Sequence, residues 1–170
     1  MSLLSRFFSQ PKPPLSDLWV WITDTARQPE WYLRYGVEDT VDGRFDMVAL
    51  VTSLVLIRLE QADLRIETAM LTERFVDDMD GSLRDIGIGD MVIGKHVGRL
   101  VGALGGRLGA YRKALAPDAA QGDLAEAIAR NVYRGASAPG AADALAAAAR
   151  QLKGRIDTAA DSALLAGDIA

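Results

Sequence analysis

One stretch of the sequence, from Arg44 to Gln61, is apolar on almost every side when it is projected onto a helix. Its large apolar side chains are Phe45, Met47, Val48, Leu50, Val51, Leu54, Val55, Leu56, Ile57 and Leu59. A helix that is hydrophobic all round must be surrounded by other elements. Its β-branched residues are compatible with a strand, but a stretch of this length favours a helix. We therefore expect this helix at the centre of the core.

The sequence on either side of this central helix also repeats apolar residues at helical spacing. Between Asp63 and Asp85, the inward positions are expected to be Leu64, Met70, Leu71, Phe75 and Met79. Further helices are expected at 16–26, 30–35 and 123–134, and an alanine-rich helix after Pro139. These patterns predict an all-α fold, a single compact multi-helix domain of about six to eight helices around the central helix and a glycine-rich helix.

Capping and turn residues predict where several helices begin and end. Ser16 is expected to be the N-cap of the first helix. Pro29 is expected to open a short helix, and Gly36 to follow it in the left-handed conformation. Asp42 and Gly43 predict a turn directly before the central helix.

Composition divides the chain into two parts. Residues 1–14 form an apolar segment and a proline-rich spacer, and residues 15–170 form the helical domain, with a core at 31–115 and alanine-rich outer helices at 121–166. The last residues are expected to be disordered. Four apolar side chains lie on one face of the N-terminal segment: Leu3, Leu4, Phe7 and Phe8. This face can pack on its own domain or, beside Arg6, contact a membrane surface.

The second constraint on the fold is a glycine-rich stretch from Ile88 to Leu115, in which Asp90 is expected to be the N-cap of a helix. One face is apolar and consists of Ile93, Val97, Leu100, Val101, Leu104, Leu108 and Tyr111. The adjoining face consists of Gly94, Gly98, Gly102, Gly105, Gly106 and Gly109. Lys95, Arg99 and Arg107 lie at its outer margin. Six glycines cost a helix about 5–6 kcal/mol relative to alanine, so tertiary packing must offset that loss.

The spacing of Gly98, Gly102, Gly105 and Gly109 is the pattern that lets two helices approach closely. Two interpretations remain open. In the first, the second helix belongs to this chain and the glycines form an internal packing seam. In the second, the glycines line a groove for an apolar helix of a partner, and the basic margin faces the polar ends of that helix.

An acidic face precedes the glycine-rich helix and consists of Glu73, Asp77, Asp78 and Asp80. Its spacing does not fit a calcium-binding loop, because Gly87 occupies the position of the final glutamate. The residues form either a solvated face paired with Arg74 and Arg84, or a docking patch for a basic partner.

No group of residues indicates catalysis. Residues 89–95 match the start of a phosphate-binding loop, but His96 stands where a hydroxyl should bind magnesium. His96 is the single histidine, and no nucleophile–base pair can be assembled around it. We therefore expect no enzymatic activity, no metal site and no cofactor.

Net charge and hydropathy limit the classes of partner and the cellular location that are expected for this chain. The net charge of −4 argues against a nucleic-acid binder, and no specific DNA binding is expected. The chain has no cysteine, which excludes disulfides and thiolate metal sites. The longest uncharged apolar run, from Met47 to Ile57, is too short to span a bilayer, and no signal-peptide pattern is present. The expected location is cytoplasmic, with a peripheral position at the inner membrane as an option.

Two segments resemble a known family. The first is WYLRYGVEDTVDGRFD, from Trp31 to Asp46. The second runs from Leu71 to Tyr111, where the acidic helix, a Gly-Ile-Gly-Asp turn and the glycine-rich helix follow in one order. Together they resemble the ubiquinol–cytochrome c chaperone family, the assembly factors of respiratory complex III.

The resemblance implies an all-helical, non-enzymatic chaperone that binds newly synthesised cytochrome b and supports assembly of the ubiquinol–cytochrome c reductase complex. It also implies a ribosome contact or a small partner protein as further candidates. The alternative is a membrane-peripheral helical interaction or structural protein without a cytochrome b client.

The residue patterns and the resemblance together predict where a client binds. The expected client-binding residues are Glu73, Asp77, Asp78, Asp80, Lys95, Arg99, Gly98, Gly102 and Gly105. The acidic members are expected to dock basic loops of the client, since membrane proteins carry excess cations in their cytoplasmic loops. The glycines are expected to contact its apolar segments, and Leu3, Leu4, Phe7 and Phe8 to contact the membrane.

Overall fold

The structure, a computed structural model, describes the backbone of residues 13–85 and 93–170, and the side chains of these residues except 82–85 and 93–97. The helices are α1 (Ser16–Ala26), α2 (Pro29–Leu33), α3 (Val41–Gln61), α4 (Arg65–Asp85), α5 (Ile93–Ala114), α6 (Asp123–Asn131), α7 (Ala141–Thr158) and α8 (Asp161–Leu165). No strand occurs in the described ranges. The predicted all-α fold is confirmed.

Helix α3 is the centre of the core. Every residue from position 46 to position 57 is buried, and α1, α4, α5 and α7 all pack against this helix. The buried Ser53 hydroxyl is satisfied within the helix, because its Oγ donates to the carbonyl oxygen of Ala49 at 2.7 Å. The central position predicted from the apolar pattern is therefore confirmed.

The start of α3 differs from the prediction. The helix begins at Val41, and its N-cap is Thr40, whose hydroxyl accepts a hydrogen bond from the Gly43 N–H at 3.1 Å. The predicted turn at Asp42 and Gly43 is wrong, because both residues lie in the first helical turn. Gly43 is there because a Cβ at this position would lie 1.9 Å from the carbonyl oxygen of Glu38.

The predicted N-cap of α1 is also wrong. Ser16 is already helical, and it follows Leu15, whose φ is 57°. The Ser16 hydroxyl donates to the carbonyl oxygen of Pro13 at 2.5 Å instead of accepting from the helix. By contrast, the short helix α2 opens at Pro29, and Gly36 has a φ of 69°, as predicted.

Aromatic side chains attach α1 and α2 to the core. Trp19 and Trp31 are buried, and the Trp19 ring meets the Phe75 ring of α4 edge to face at 6.2 Å. The Trp31 Nε1–H donates to the carbonyl oxygen of Thr25 at 2.6 Å, which joins α2 to the end of α1.

The C-terminal residues are ordered against the domain, contrary to the prediction. Leu164 and Ile169 are buried, and α8 packs against α1. The Arg58 guanidinium of α3 pairs with Asp161 at 2.6 Å. Because apolar and charged contacts both hold this segment, the tail is part of the folded unit.

Candidate interaction surface

Helix α5 packs against α3, α4 and α6 through its apolar face. Leu100, Leu104 and Tyr111 are buried, whereas Val101 is 45% exposed. The prediction that Val101 faces inward is wrong. At about 100° per residue, Val101 lies about 60° from Leu104 and about 60° from Gly98, so it lies at the border between the buried face and the glycine face.

The glycines of α5 form an exposed surface, which we call the glycine ridge: Gly98, Gly102, Gly105, Gly106 and Gly109. The first four are exposed and Gly109 is half-buried. A Cβ built on any of them meets no heavy atom within 4 Å, apart from the helix's own nearby backbone. The interpretation of these glycines as an internal packing seam is therefore wrong. They leave this part of the helical backbone exposed instead.

Positive charge accompanies the glycine ridge. Arg99 and Lys113 are exposed, and no carboxylate in the described part of the chain forms a salt bridge with either. Arg112 lies on the same helix, but it is bound in a bidentate pair with Glu60 of α3, with distances of 2.8 Å and 3.0 Å. Two exposed cations of the ridge are thus available to a ligand.

Arg107 does not belong to this basic margin, contrary to the prediction. Its Nη2 pairs with the Asp46 Oδ1 at 2.7 Å, and its guanidinium lies 5.3 Å from the centre of the Phe45 ring. The Arg134 Nη2 contacts the Asp46 Oδ2 at 2.7 Å. We call Asp46, Arg107 and Arg134 the Asp46 cluster. It joins α3, α5 and the segment after α6.

In this cluster, burial and ion pairing shift the pKa of Asp46 in opposite directions. Asp46 is fully buried, and this burial raises the pKa of its carboxyl group, while Arg107 and Arg134 lower it. A buried carboxylate needs such partners to stay charged. Sequence reasoning missed the cluster, although a signal existed: Asp46 is the one charged residue between positions 45 and 57. A charge inside an otherwise apolar helix predicts a buried partner.

The acidic face of α4 lies partly at the surface. Glu73 and Asp77 are exposed, and Asp78 and Asp80 are half-buried. Their roles in binding stay a prediction.

The same face of α4 also carries apolar side chains one to three turns earlier. Ile66 is 69% exposed and Met70 is 37% exposed. The inward position predicted for Met70 is wrong, because the neighbouring Leu71 occupies the buried face, about 100° further round the helix.

Helices α4 and α5 follow each other in the chain and contact each other. The exposed residues of these two helices include apolar, acidic and basic side chains and the glycines of the ridge.

Other predicted site residues lie outside the described residues. These are the whole N-terminal segment with Leu3, Leu4, Phe7 and Phe8, and the side chain of Lys95. Among the helices that the structure describes, none has the length and hydropathy required to cross a membrane.

Comparisons with known proteins agree with this architecture. The family model for the ubiquinol–cytochrome c chaperone matches residues 33–170. A solved structure described as the crystal structure of the Cbp3 homolog from Brucella abortus is 32% identical and superposes with a TM-score of 0.80. That match covers 99% of this chain and 96% of the other. No curated protein matches the sequence.

Proposed function

Because the chain belongs to the ubiquinol–cytochrome c chaperone family, we propose that it is a non-enzymatic assembly chaperone that binds newly synthesised cytochrome b. The family supports a role in assembly of the ubiquinol–cytochrome c reductase complex. The finer assignment of the client is our proposal. It rests chiefly on one observation, the open glycine ridge of α5.

The glycine ridge suits a client made of apolar helices. Small residues let two helix backbones approach closely, which increases van der Waals contact between them. Gly98, Gly102 and Gly105 are exposed and have free space above them, so a client helix could lie directly on this part of α5. Val101, which is 45% exposed, would add an apolar contact beside the ridge.

The charged groups near the ridge would recognise the polar ends of such a client. We propose that the acidic face of α4 docks basic loops, through Glu73, Asp77, Asp78 and Asp80. Cytoplasmic loops of membrane proteins carry excess lysine and arginine, and oppositely charged patches favour encounter. Lys95 and Arg99 would contact acidic or carbonyl groups at the other side of the client.

A peripheral membrane contact is part of the same proposal. We propose that Leu3, Leu4, Phe7 and Phe8 touch the bilayer surface, because four apolar side chains beside Arg6 suit the interface between headgroups and acyl chains. Such a contact would keep the chaperone close to the place where an apolar client enters the membrane. A ribosome contact or a small partner protein could serve the same purpose.

The test is site-specific photocrosslinking during synthesis of cytochrome b. Photoreactive residues replace Lys95, Arg99 and Asp78, and a control probe replaces Gln151, which is exposed on α7. We expect crosslinks to cytochrome b from the first three positions and none from the control. Crosslinks from Gln151 alone would move the client to another face. Absence of any crosslink, with complex III assembly independent of the protein, would refute the function itself.

A further inference from the structure

A cleft of about 500 Å³ lies between α2 and the start of α3. None of its lining residues belongs to α4 or α5, so it is separate from the surface proposed to bind the client. Its apolar part consists of Pro29, Leu33 and Val37. Val37 is buried, whereas Leu33 is 86% exposed, more than any other large hydrophobic side chain in the described ranges. The cleft therefore offers an uncovered apolar contact.

The polar part of the cleft carries a local excess of positive charge. Arg27, at the end of α1, is exposed, and no carboxylate of the described residues pairs with it. Arg44 pairs with Asp39 through its Nε at 2.6 Å, which leaves both of its terminal nitrogens without a hydrogen-bond partner within the described ranges. Two guanidinium groups thus face one carboxylate.

The phenol of Tyr32 lines the cleft together with these charged groups. Its hydroxyl donates to the carbonyl oxygen of Ala26 at 2.9 Å, so the ring is held in place at the cleft wall. Burial raises the pKa of Tyr32, and Arg44, Asp39 and Arg27 each act on it electrostatically. All three charged groups therefore lie close to the same ring.

From this geometry we infer that the cleft binds a short acidic–apolar peptide segment of a partner protein. One carboxylate of the segment binds between Arg27 and Arg44, and the adjacent apolar side chain packs on Leu33 and Pro29. The planar guanidinium group matches a carboxylate with two parallel hydrogen bonds. A cleft of this volume, typical of sites for small ligands, holds a few side chains and not a whole helix.

The charges of the whole chain favour this occupant over a polyanion. The net charge is −4, and a nucleic acid would meet that repulsion over an extended area. A short segment with one or two carboxylates meets only the local field of the two arginines. A free inorganic anion would use the arginines but would leave Leu33 exposed. The inference does not depend on the identity of the client proposed above.

The experiment measures binding of three labelled heptapeptides to the full chain by fluorescence anisotropy. The first peptide contains a glutamate next to a leucine, the second replaces the glutamate with glutamine, and the third replaces the leucine with serine. We expect the first to bind about tenfold more tightly than either of the others, since each lost contact removes a charge-assisted hydrogen bond or an apolar contact. The combined R27Q and R44Q variant should bind the first peptide about tenfold more weakly than the parent chain does.

The controls separate the cleft from general charge effects. Arg130→Gln removes an exposed arginine from α6 and should leave peptide binding unchanged. Leu33→Ser should weaken the first peptide and leave the serine peptide unaffected. Because Arg27, Leu33 and Arg44 are exposed, these variants should unfold at the temperature of the parent chain.

Several results would overturn the inference. These are equal binding of all three peptides, unchanged binding by the double variant, or no binding at millimolar peptide. A further measurement tests binding of the chain to vesicles of phosphatidylglycerol. If they bind in an Arg27- and Arg44-dependent way while the peptides do not, the cleft is a lipid site. Failure of cytochrome b crosslinking would leave all these outcomes unaltered.

Discussion

Large side chains on the glycine ridge should raise the stability of the chain and reduce its binding to the client. The perturbation is Gly102→Leu combined with Gly105→Leu, in the middle of α5. Both glycines are exposed, and a Cβ at either meets no heavy atom within 4 Å apart from the helix's own nearby backbone, so we expect the free protein to accept both leucines. Only a partner that lies directly on the ridge would collide with them.

The expected change in stability follows from helix propensity. Leucine is more favourable than glycine in a helix interior, so each substitution should raise the free energy of unfolding by about 0.5–1 kcal/mol. Two substitutions give about 1–2 kcal/mol, and in a chain of this length that raises the melting temperature by about 2–8 °C. The variant is therefore expected to be more stable and less active, a combination that a folding defect cannot produce.

The assay has two measurements on the same variant. Thermal unfolding followed by circular dichroism gives the melting temperature, and affinity capture gives the fraction of newly synthesised cytochrome b that is bound. The matched control is Gly154→Leu, an exposed glycine of α7 whose Cβ would also meet no heavy atom within 4 Å beyond the nearby helix backbone. The control should gain stability and keep full client binding.

Two outcomes would refute the reasoning. If the double variant melts at a lower temperature, the glycines are required for packing and the ridge is not free. If it is more stable and captures cytochrome b as well as the parent chain, the ridge is open but is not the client surface.

Three other changes test the remaining parts of the structure. Asp46→Ala should lower the free energy of unfolding by about 3–5 kcal/mol in urea titrations, because it leaves the largely buried Arg107 without its carboxylate. A loss below about 1 kcal/mol would contradict the role of the cluster. Reversing charge with Glu73→Lys and Asp77→Lys should reduce crosslinking to cytochrome b without lowering the melting temperature. The control Glu126→Lys, on α6, should have no effect on crosslinking. Unchanged crosslinking in the first variant would remove the acidic face from the proposal. Burial raises the pKa of Tyr133 to about 12 from 10.0, so the stability that its neutral hydroxyl provides is present at pH 8 and is lost as the pH rises above 10, where the unfolded chain ionises first. Tyr133→Phe should make the unfolding free energy fall less between pH 9 and 11, and an unaltered slope would contradict the shift.

The Asp46 cluster is also what positions the proposed surface. Arg107 lies between the glycines of α5 in sequence and is bound to a carboxylate of the central helix at 2.7 Å. Arg134 binds the other oxygen of the same carboxylate. This ion pair ties α5 to α3 at the position of Arg107, and so it contributes, with the apolar packing, to which side of α5 stays exposed.

The sequence by itself determined the fold class and its centre. An apolar pattern on all sides of the stretch 44–61 allows no other place than the interior, because exposing it to water is too costly. The proline and glycine that bound α2 were equally predictable, since the conformations that Pro29 and Gly36 favour do not depend on distant residues. Local chemistry was sufficient in each of these cases.

Only the tertiary structure decided which faces are covered. Periodicity predicted an apolar face of α5 but not its width, and Val101 lies just outside the part that α3, α4 and α6 cover. Arg107 and Arg134 meet Asp46 across 61 and 88 residues of sequence, a separation that no local pattern encodes. The glycine ridge was visible as a pattern in the sequence. Its openness depended on which side of α5 the neighbouring helices cover, and that is a property of the packed chain alone.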